Sequence, residues 1–354
     1  MKFRTRLFSI TVYFFHFIIC MLIFLSLFSV LLIYHGPFIK LKDTIVAMSM
    51  ASTSNKFFAT WFVSRDEINA ILSKTNSVVK NDKENLSDVK VQNSGNLNTL
   101  HNQINTFKTA AKVANDTQAA IDAGSDNIQV IDITGAQYKG KLLVINNPSR
   151  ITVGSAPKLG QMGAPLSQIV KSYGAVGGIN AGGFLDDSLV GGGTGGEPSG
   201  IVIENSKIKF MQKGLKTFDV VGFNKDNILI ISNGMTSDQI NSSNLRCAIS
   251  FGPALILNGN PLVKKGGTYL APRSAIAQKK DGTVLLLAID GRQSYSQGAN
   301  YMDIQNILLD YGAYNAANLD GGGSSTLNYR GKTINRPSDI TGERDVPTAF
   351  LIMP

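Results

Sequence analysis

The sequence predicts an α+β domain with a mixed, mostly antiparallel β-sheet and a few packed helices, preceded by one N-terminal transmembrane helix. Three observations carry this expectation. Residues 7–33 run for 27 positions without Asp, Glu, Lys or Arg, which exceeds the roughly 20 apolar residues needed to cross a bilayer core. From Ile128 onward short apolar runs alternate with Gly, Asn, Asp and Pro turn residues, the texture of strands and hairpins. Two stretches in that region carry helical spacing, 165–173 and 301–311, and the second places Ile304, Ile307, Leu308 and Tyr311 on one face.

Lys2, Arg4 and Arg6 precede the apolar run, and Tyr34, His35, Gly36 and Pro37 follow it without a small-x-small cleavage site. Residues 1–36 therefore read as a basic cytoplasmic tail and an uncleaved signal anchor, giving a single-pass cell-membrane protein with its C-terminal domain extracellular. The alternative is a long secretory signal cut near Ala47 or Ala51. Residues 37–126 form a juxtamembrane segment and polar stem. Within it, 55–74 holds an apolar patch and then a helix from Ser64, capped by Ser64 with Glu67 three positions on. Beyond Thr75 the composition turns to Asn, Lys, Ser, Asp, Gln and Thr, with a helical stretch expected around 105–123.

Residues 127–354 form the folded domain. Its expected strands are IQVIDI, KGKLLVI, GAVGGI, GIVIE, FDVVGF, NILII, PALIL, SAIAQ, TVLLLAID, AANLD, STLNY and TAFLIM, in chain order.

Composition removes several kinds of chemistry. The net charge of +9 divides into 13 basic against 8 acidic residues up to 125 and 21 against 17 beyond it. No Lys/Arg cluster with interleaved aromatics accompanies it, so nucleic acid is not an expected partner. Cys20 and Cys247 are the only cysteines, which excludes a disulfide framework and a CxxC zinc site. His16, His35 and His101 all precede the β-rich region, so neither a Ser-His-Asp triad nor a His-ligated zinc can be assembled within it. Acid–base work there falls to Asp, Glu, Lys or Tyr.

Three segments share a pattern in which an apolar run ends in polar residues and glycine: GGINAGGF (177–184), IDGR (289–292) and NLDGGGSST (318–326). Strands ending this way deliver side chains to a sheet edge, where glycine lets a ligand approach the backbone. Each alone reads first as a common hairpin turn, and it is the three together that point to a site. Arg273 stands before one apolar strand and Arg292 after another, where two guanidinium groups can clamp a phosphate or carboxylate, or form surface ion pairs.

The strings NAGGF, PRSAIAQKKDGTVLLLAIDGR, GAYNAANLDGGGSSTL and NRPSD with ERDVPTAFLI, in that order over about 128–354, resemble the phosphodiester glycosidase family. One departure is Leu185, which stands where a second aromatic often follows Phe184 in the family's pattern. The resemblance implies hydrolysis of a sugar-1-phosphodiester at the anomeric carbon, releasing free sugar and a phosphomonoester, on a sugar-phosphate or an anionic glycopolymer of the envelope. Phosphate is already a charged leaving group, which suits a site without histidine.

On that basis Arg273 and Arg292 would hold the phosphate, helped by the amides of Gly321, Gly322 and Gly323 and the hydroxyls of Ser324 and Ser325. Asp320 and Asp290 are the candidate carboxylates, as base, nucleophile or metal ligand, and Glu197 is a reserve acid. Asn180 would bond the sugar or hold water. Arg336 either completes the anionic pocket or pairs with Asp339 or Glu343. No cofactor is required by the sequence, and a divalent cation (Ca or Mg) is compatible with such oxygen donors. The competing expectation is a non-catalytic protein that binds an anionic glycopolymer in exopolysaccharide or cell-envelope assembly.

Overall fold

The computed structural model describes residues 2–50, 57–75, 128–185, 193–264, 269–339 and 342–354. The stem expected after Thr75 and the helix expected around 105–123 lie outside them.

The apolar run forms α1 (Lys2–His35), of which Phe14–His35 has a mean hydropathy of 2.8 and is long and apolar enough to cross a membrane. Gly36 and Pro37 end it, and three helices follow: α2 (Ile39–Met50), α3 (Phe57–Thr60) and α4 (Arg65–Thr75). Ser64 caps α4 as its sequence predicts, its hydroxyl accepting from the Glu67 amide at 3.3 Å. The helices bury Tyr34, Val46, Ala59, Val63, Ile68 and Ile71 together.

The domain is α+β, and every strand pairing among the described residues is antiparallel. Its strands divide among three sheets. The first contains β1 (Ile128–Thr134), β2 (Lys139–Ile145), β10 (Ala254–Leu257), β11 (Asn260–Pro261), β12 (Arg273–Lys279), β13 (Val284–Ile289) and β14 (Ala313–Leu319), ordered β1-β2-β13-β12-β14-β10-β11. The second is β16-β15-β4-β17-β3, from β3 (Ile151–Ser155), β4 (Gly177–Asn180), β15 (Leu327–Tyr329), β16 (Lys332–Thr333) and β17 (Thr348–Ile352). The third is β6-β5-β9-β7-β8, from β5 (Ile201–Glu204), β6 (Lys207–Met211), β7 (Thr217–Asn224), β8 (Leu229–Thr236) and β9 (Leu245–Ile249).

One core joins the facing sides of all three sheets, with Ile276 and Leu286 from the first, Ile179 and Phe350 from the second, and Phe223 and Ile249 from the third. Phe223 meets Phe350 edge-on at 6.3 Å, a geometry contributing about 0.5–1.5 kcal/mol beyond area burial. The outer faces are covered by helices. The helix α5 (Leu166–Ser172) packs on the second sheet, α6 (Ser237–Ser242) on the third, and α7 (Tyr301–Asp310) on the first through Ile304, Ile307 and Leu308. Central strands such as β12 and β14 are buried on both sides, which is why they read as continuous apolar runs rather than alternating ones.

β9 carries a charge where a strand pattern expects none. The Arg246 guanidinium lies over the Phe223 ring at 5.4 Å and donates to the carbonyls of Ile151 and Pro148, so its charge is bonded rather than stranded. Beside it Cys247 is fully buried, as a small apolar residue would be.

Candidate active site

The centre lies where β14 ends. Its seven residues are buried, and the next side chain is Asp320. The Asp320 amide donates to the Ala181 carbonyl at 3.0 Å, and its own carbonyl accepts from Asn180 Nδ2 at 2.6 Å. Asn180 Oδ1 accepts from Ser274 Oγ at 2.7 Å and from the Thr326 amide at 3.0 Å. Asn180 is 0% exposed, so its amide ties β4 to β12, to the tip of β14 and to the loop beyond it.

The glycine strip then turns under Pro272. The Gly322 amide donates to the Pro272 carbonyl at 2.9 Å, and Ser324 and Ser325 donate to the carbonyls of Gly321 and Gly322. A Cβ on Gly321 would lie 2.9 Å from the Pro272 oxygen and 3.9 Å from Arg273 Cα, so only glycine fits that approach. With consecutive Cα atoms about 3.8 Å apart, Asp320 and Arg273 are within about 9 Å of each other at Cα. This geometry corrects the expectation of a shared anion cradle made by three amides. The Gly322 amide is spent on Pro272 and that of Gly321 is turned toward the Asp320 carboxyl.

Burial raises the pKa of Asp320 to about 6. Three groups hold it from rising further. The Ser324 hydroxyl lies toward the carboxyl without forming a full hydrogen bond, and the Arg344 guanidinium and Gly321 amide add to its effect. Arg344, which lies outside the motifs that single out the other arginines, also stacks on the Phe184 ring at 4.6 Å.

Asp290 follows β13 and is 8% exposed. Its Oδ1 accepts from the Arg336 amide at 2.8 Å and Asn335 Nδ2 at 3.3 Å, and its Oδ2 accepts from the Tyr295 hydroxyl at 3.1 Å. Burial raises its pKa, and these three donors offset part of the rise. Asn335 also donates to the Ser325 carbonyl at 3.0 Å, which links this carboxylate to the loop after Asp320.

The expected arginine pair converges on one aromatic. Arg273 lies 4.2 Å from the Tyr301 ring and 5.2 Å from that of Tyr269, and its Nε donates to the Ala299 carbonyl at 3.0 Å. Burial raises the Tyr269 pKa, while Arg292 and then Arg273 draw it back, so both guanidinium groups act on its hydroxyl. Pro272 stands between these loops, since a Cβ on Gly291 would meet its nitrogen at 2.5 Å. Arg273 is thus bound into the protein, and Arg292 is half-buried beside it with a left-handed φ of 56°. Arg336 is exposed, 5.8 Å from the Tyr295 ring, while Glu343 accepts from the Ser167 amide and the Thr333 hydroxyl. Glu197 is exposed, and its carbonyl accepts from the Leu185 amide at 2.9 Å.

Ser324, Ser325 and Thr326 are each at most 1% exposed, yet their hydroxyl oxygens have no hydrogen-bond partner among the described residues. Asn318 Oδ1 and both side-chain atoms of Asn328 share that condition. Buried polar atoms of this kind call for water or ligand. Among the described residues no three His, Cys, Asp or Glu side chains gather to hold a metal ion.

Three antiparallel sheets thus bring a half-buried carboxylate and guanidinium-bearing loops together at the end of β14. Residues 173–353, just over half of the sequence, match the family described as phosphodiester glycosidase, and the chain belongs to it. The SPbeta prophage-derived uncharacterized protein YomE of Bacillus subtilis (strain 168) is 34% identical over 123 residues, 33% of this chain and 19% of that protein. The N-acetylglucosamine-1-phosphodiester alpha-N-acetylglucosaminidase of Bos taurus is 37% identical over 70 residues, 20% of this chain and 13% of that protein. The chain thus spans less than a fifth of the length of these curated relatives. The fold is similar to the zebrafish catalytic domain of that glucosaminidase, auto-inhibited by its pro-peptide, at 22% identity and a TM-score of 0.54, covering 68% of this chain and 88% of the other.

Proposed function

We propose that the domain hydrolyses sugar-1-phosphodiesters at the anomeric carbon, releasing the free sugar and leaving a phosphomonoester on the other partner. The observation that carries this is the Asp320 carboxyl, raised to about 6 by burial and faced by Arg344. A carboxylate with that pKa is mostly ionised at neutral pH yet basic enough to take a proton from water. Asp320 acts as the base, or as the nucleophile toward an oxocarbenium-like sugar. The phosphate leaves with its charge neutralised by Arg292 and Arg344, so it needs no strong general acid.

Asp290 is a positioning group in this proposal, since its oxygens orient Tyr295, Asn335 and the Arg336 main chain. Asn180 likewise places Asp320 rather than touching sugar. Ser324 and Ser325 offer buried hydroxyls to substrate or to water. The substrate is an envelope sugar-phosphate or anionic glycopolymer, reached by a domain anchored through α1 on the outer face of the cell membrane. The apolar length of Phe14–His35 supports the anchor.

The test is incubation of the detergent-solubilised full chain with an aryl or nucleotide sugar-1-phosphodiester in isotopically labelled water. Free reducing sugar carrying the label at its anomeric oxygen supports the proposal. Label on phosphate would assign P–O cleavage instead, and retention without release would assign a binding protein.

A further inference from the structure

The helices after the membrane span leave an apolar surface bare. Trp61 is 75% exposed, and Phe58 and Ile39 are 45% and 63% exposed, although these helices enclose a small core of their own. Phe57 brings its ring to 5.2 Å from Trp61 and 4.1 Å from Phe58, so the aromatics form one patch. A water-facing surface seldom carries such a cluster without a partner.

The height of this patch above the bilayer is set by Tyr34, the last aromatic of α1. Its hydroxyl donates to the Phe58 carbonyl, and its ring stacks on Phe62 at 4.9 Å with planes 25° apart. α3 is therefore held level with the outer end of the span. The start of α2 lies there too, because only Gly36 to Phe38 separate α1 from Ile39. The opposite character appears on α4, where Arg65, Asp66 and Glu67 are exposed and Glu67 pairs with Lys42.

Amphipathic aromatics prefer the boundary between headgroups and acyl chains, where the ring is in apolar surroundings and the indole N–H stays hydrated. We infer that the face formed by α3 and the start of α2 docks into the headgroup–acyl boundary of the bilayer that α1 crosses, with Trp61 and Phe58 as its anchors. Continuity with the span names the occupant. The inference rests on α1 spanning the membrane and not on the enzymatic proposal. It gives this helical unit the role of fixing the base of the chain flat on the outer surface, with α4 toward water.

Trp61 is the only tryptophan of the sequence, so intrinsic fluorescence reports this position alone. The full chain is reconstituted into phosphatidylcholine vesicles and floated on a density gradient. Emission is then measured with aqueous iodide, with lipids brominated near the headgroup end of the acyl chain, and with lipids brominated near its terminus. The expected results are a blue-shifted emission, loss of most iodide quenching, and stronger quenching by the shallow bromine than by the deep one. Flotation with full iodide quenching and no bromolipid quenching would overturn the inference while leaving the anchor standing. Protection from both quenchers would show the patch covered by protein, such as a second copy, and would also overturn it. Failure to float would remove the anchor and the inference together. Phe58→Ser, which leaves the reporter in place, is expected to restore part of the iodide quenching, and no change would count against Phe58 as an anchor.

Discussion

The side-chain amide of Asn180 donates to the main-chain carbonyl of Asp320 across 2.6 Å while its oxygen accepts from Ser274 and Thr326. Asn180→Asp places a charge in a site with no exposure and sets an oxygen against the Asp320 carbonyl. The expected loss of stability is about 2–4 kcal/mol, against about 1 kcal/mol for Ser274→Ala. Urea denaturation of both variants checks this, and near-equal midpoints would show that Asn180 does not organise the site.

Asp320→Asn removes the base or nucleophile of the proposed reaction. Turnover of a sugar-1-phosphodiester is expected to fall by about 100-fold or more with the fold retained. Undiminished kcat would take Asp320 out of the mechanism.

The same substitution has a stability signature. The Asp320 pKa is raised from 3.8 to about 6, so the folded protein binds this proton more tightly than the unfolded chain does. The cost of the buried charge is fully present above the folded pKa and disappears as pH falls from about 7 toward 4. Asp320→Asn should therefore be the more stable protein at pH 8, by up to about 3 kcal/mol. That advantage should shrink at pH 4.5, and a pH-independent difference between the two proteins would contradict the assignment.

Arg344 lowers the pKa of Asp320, so Arg344→Gln should move it up. The acid limb of the kcat profile, expected near pH 6 in the wild type, should shift to higher pH in the variant. A parallel drop in kcat at all pH values, with the limb unmoved, would give Arg344 a role in substrate binding alone.

The proposed reaction routes no step through a cation, so dialysis against EDTA is expected to leave turnover unchanged. Loss of activity that calcium or magnesium restores would show a metal held by other donors.

Most of the architecture was legible because its strands are short apolar runs punctuated by turn residues. β9 escaped for a physical reason: it contains Arg246, and the carbonyls of Ile151 and Pro148 with the ring of Phe223, all supplied by distant segments, make that charge tolerable in a buried strand. β6 escaped because its edge position leaves Lys207 and Lys209 exposed and the apolar count low. At the site, charge and position singled out Asp320, Arg273 and Arg292, which the fold brings to loops meeting at Pro272. What the pattern could not show was commitment. Whether Arg273 faces a ligand or the Ala299 carbonyl depends on tertiary packing. Arg344 carried one available signal, an arginine just before the last strand, in the same kind of place as Arg273.

The Asn180 knot joins positions 94, 140 and 146 residues apart along the chain. Such contacts form late, once distant segments have found one another. A nascent chain would thus lack the surroundings of Asp320 until its C-terminal third has been made, whatever the order in which its other strands pair.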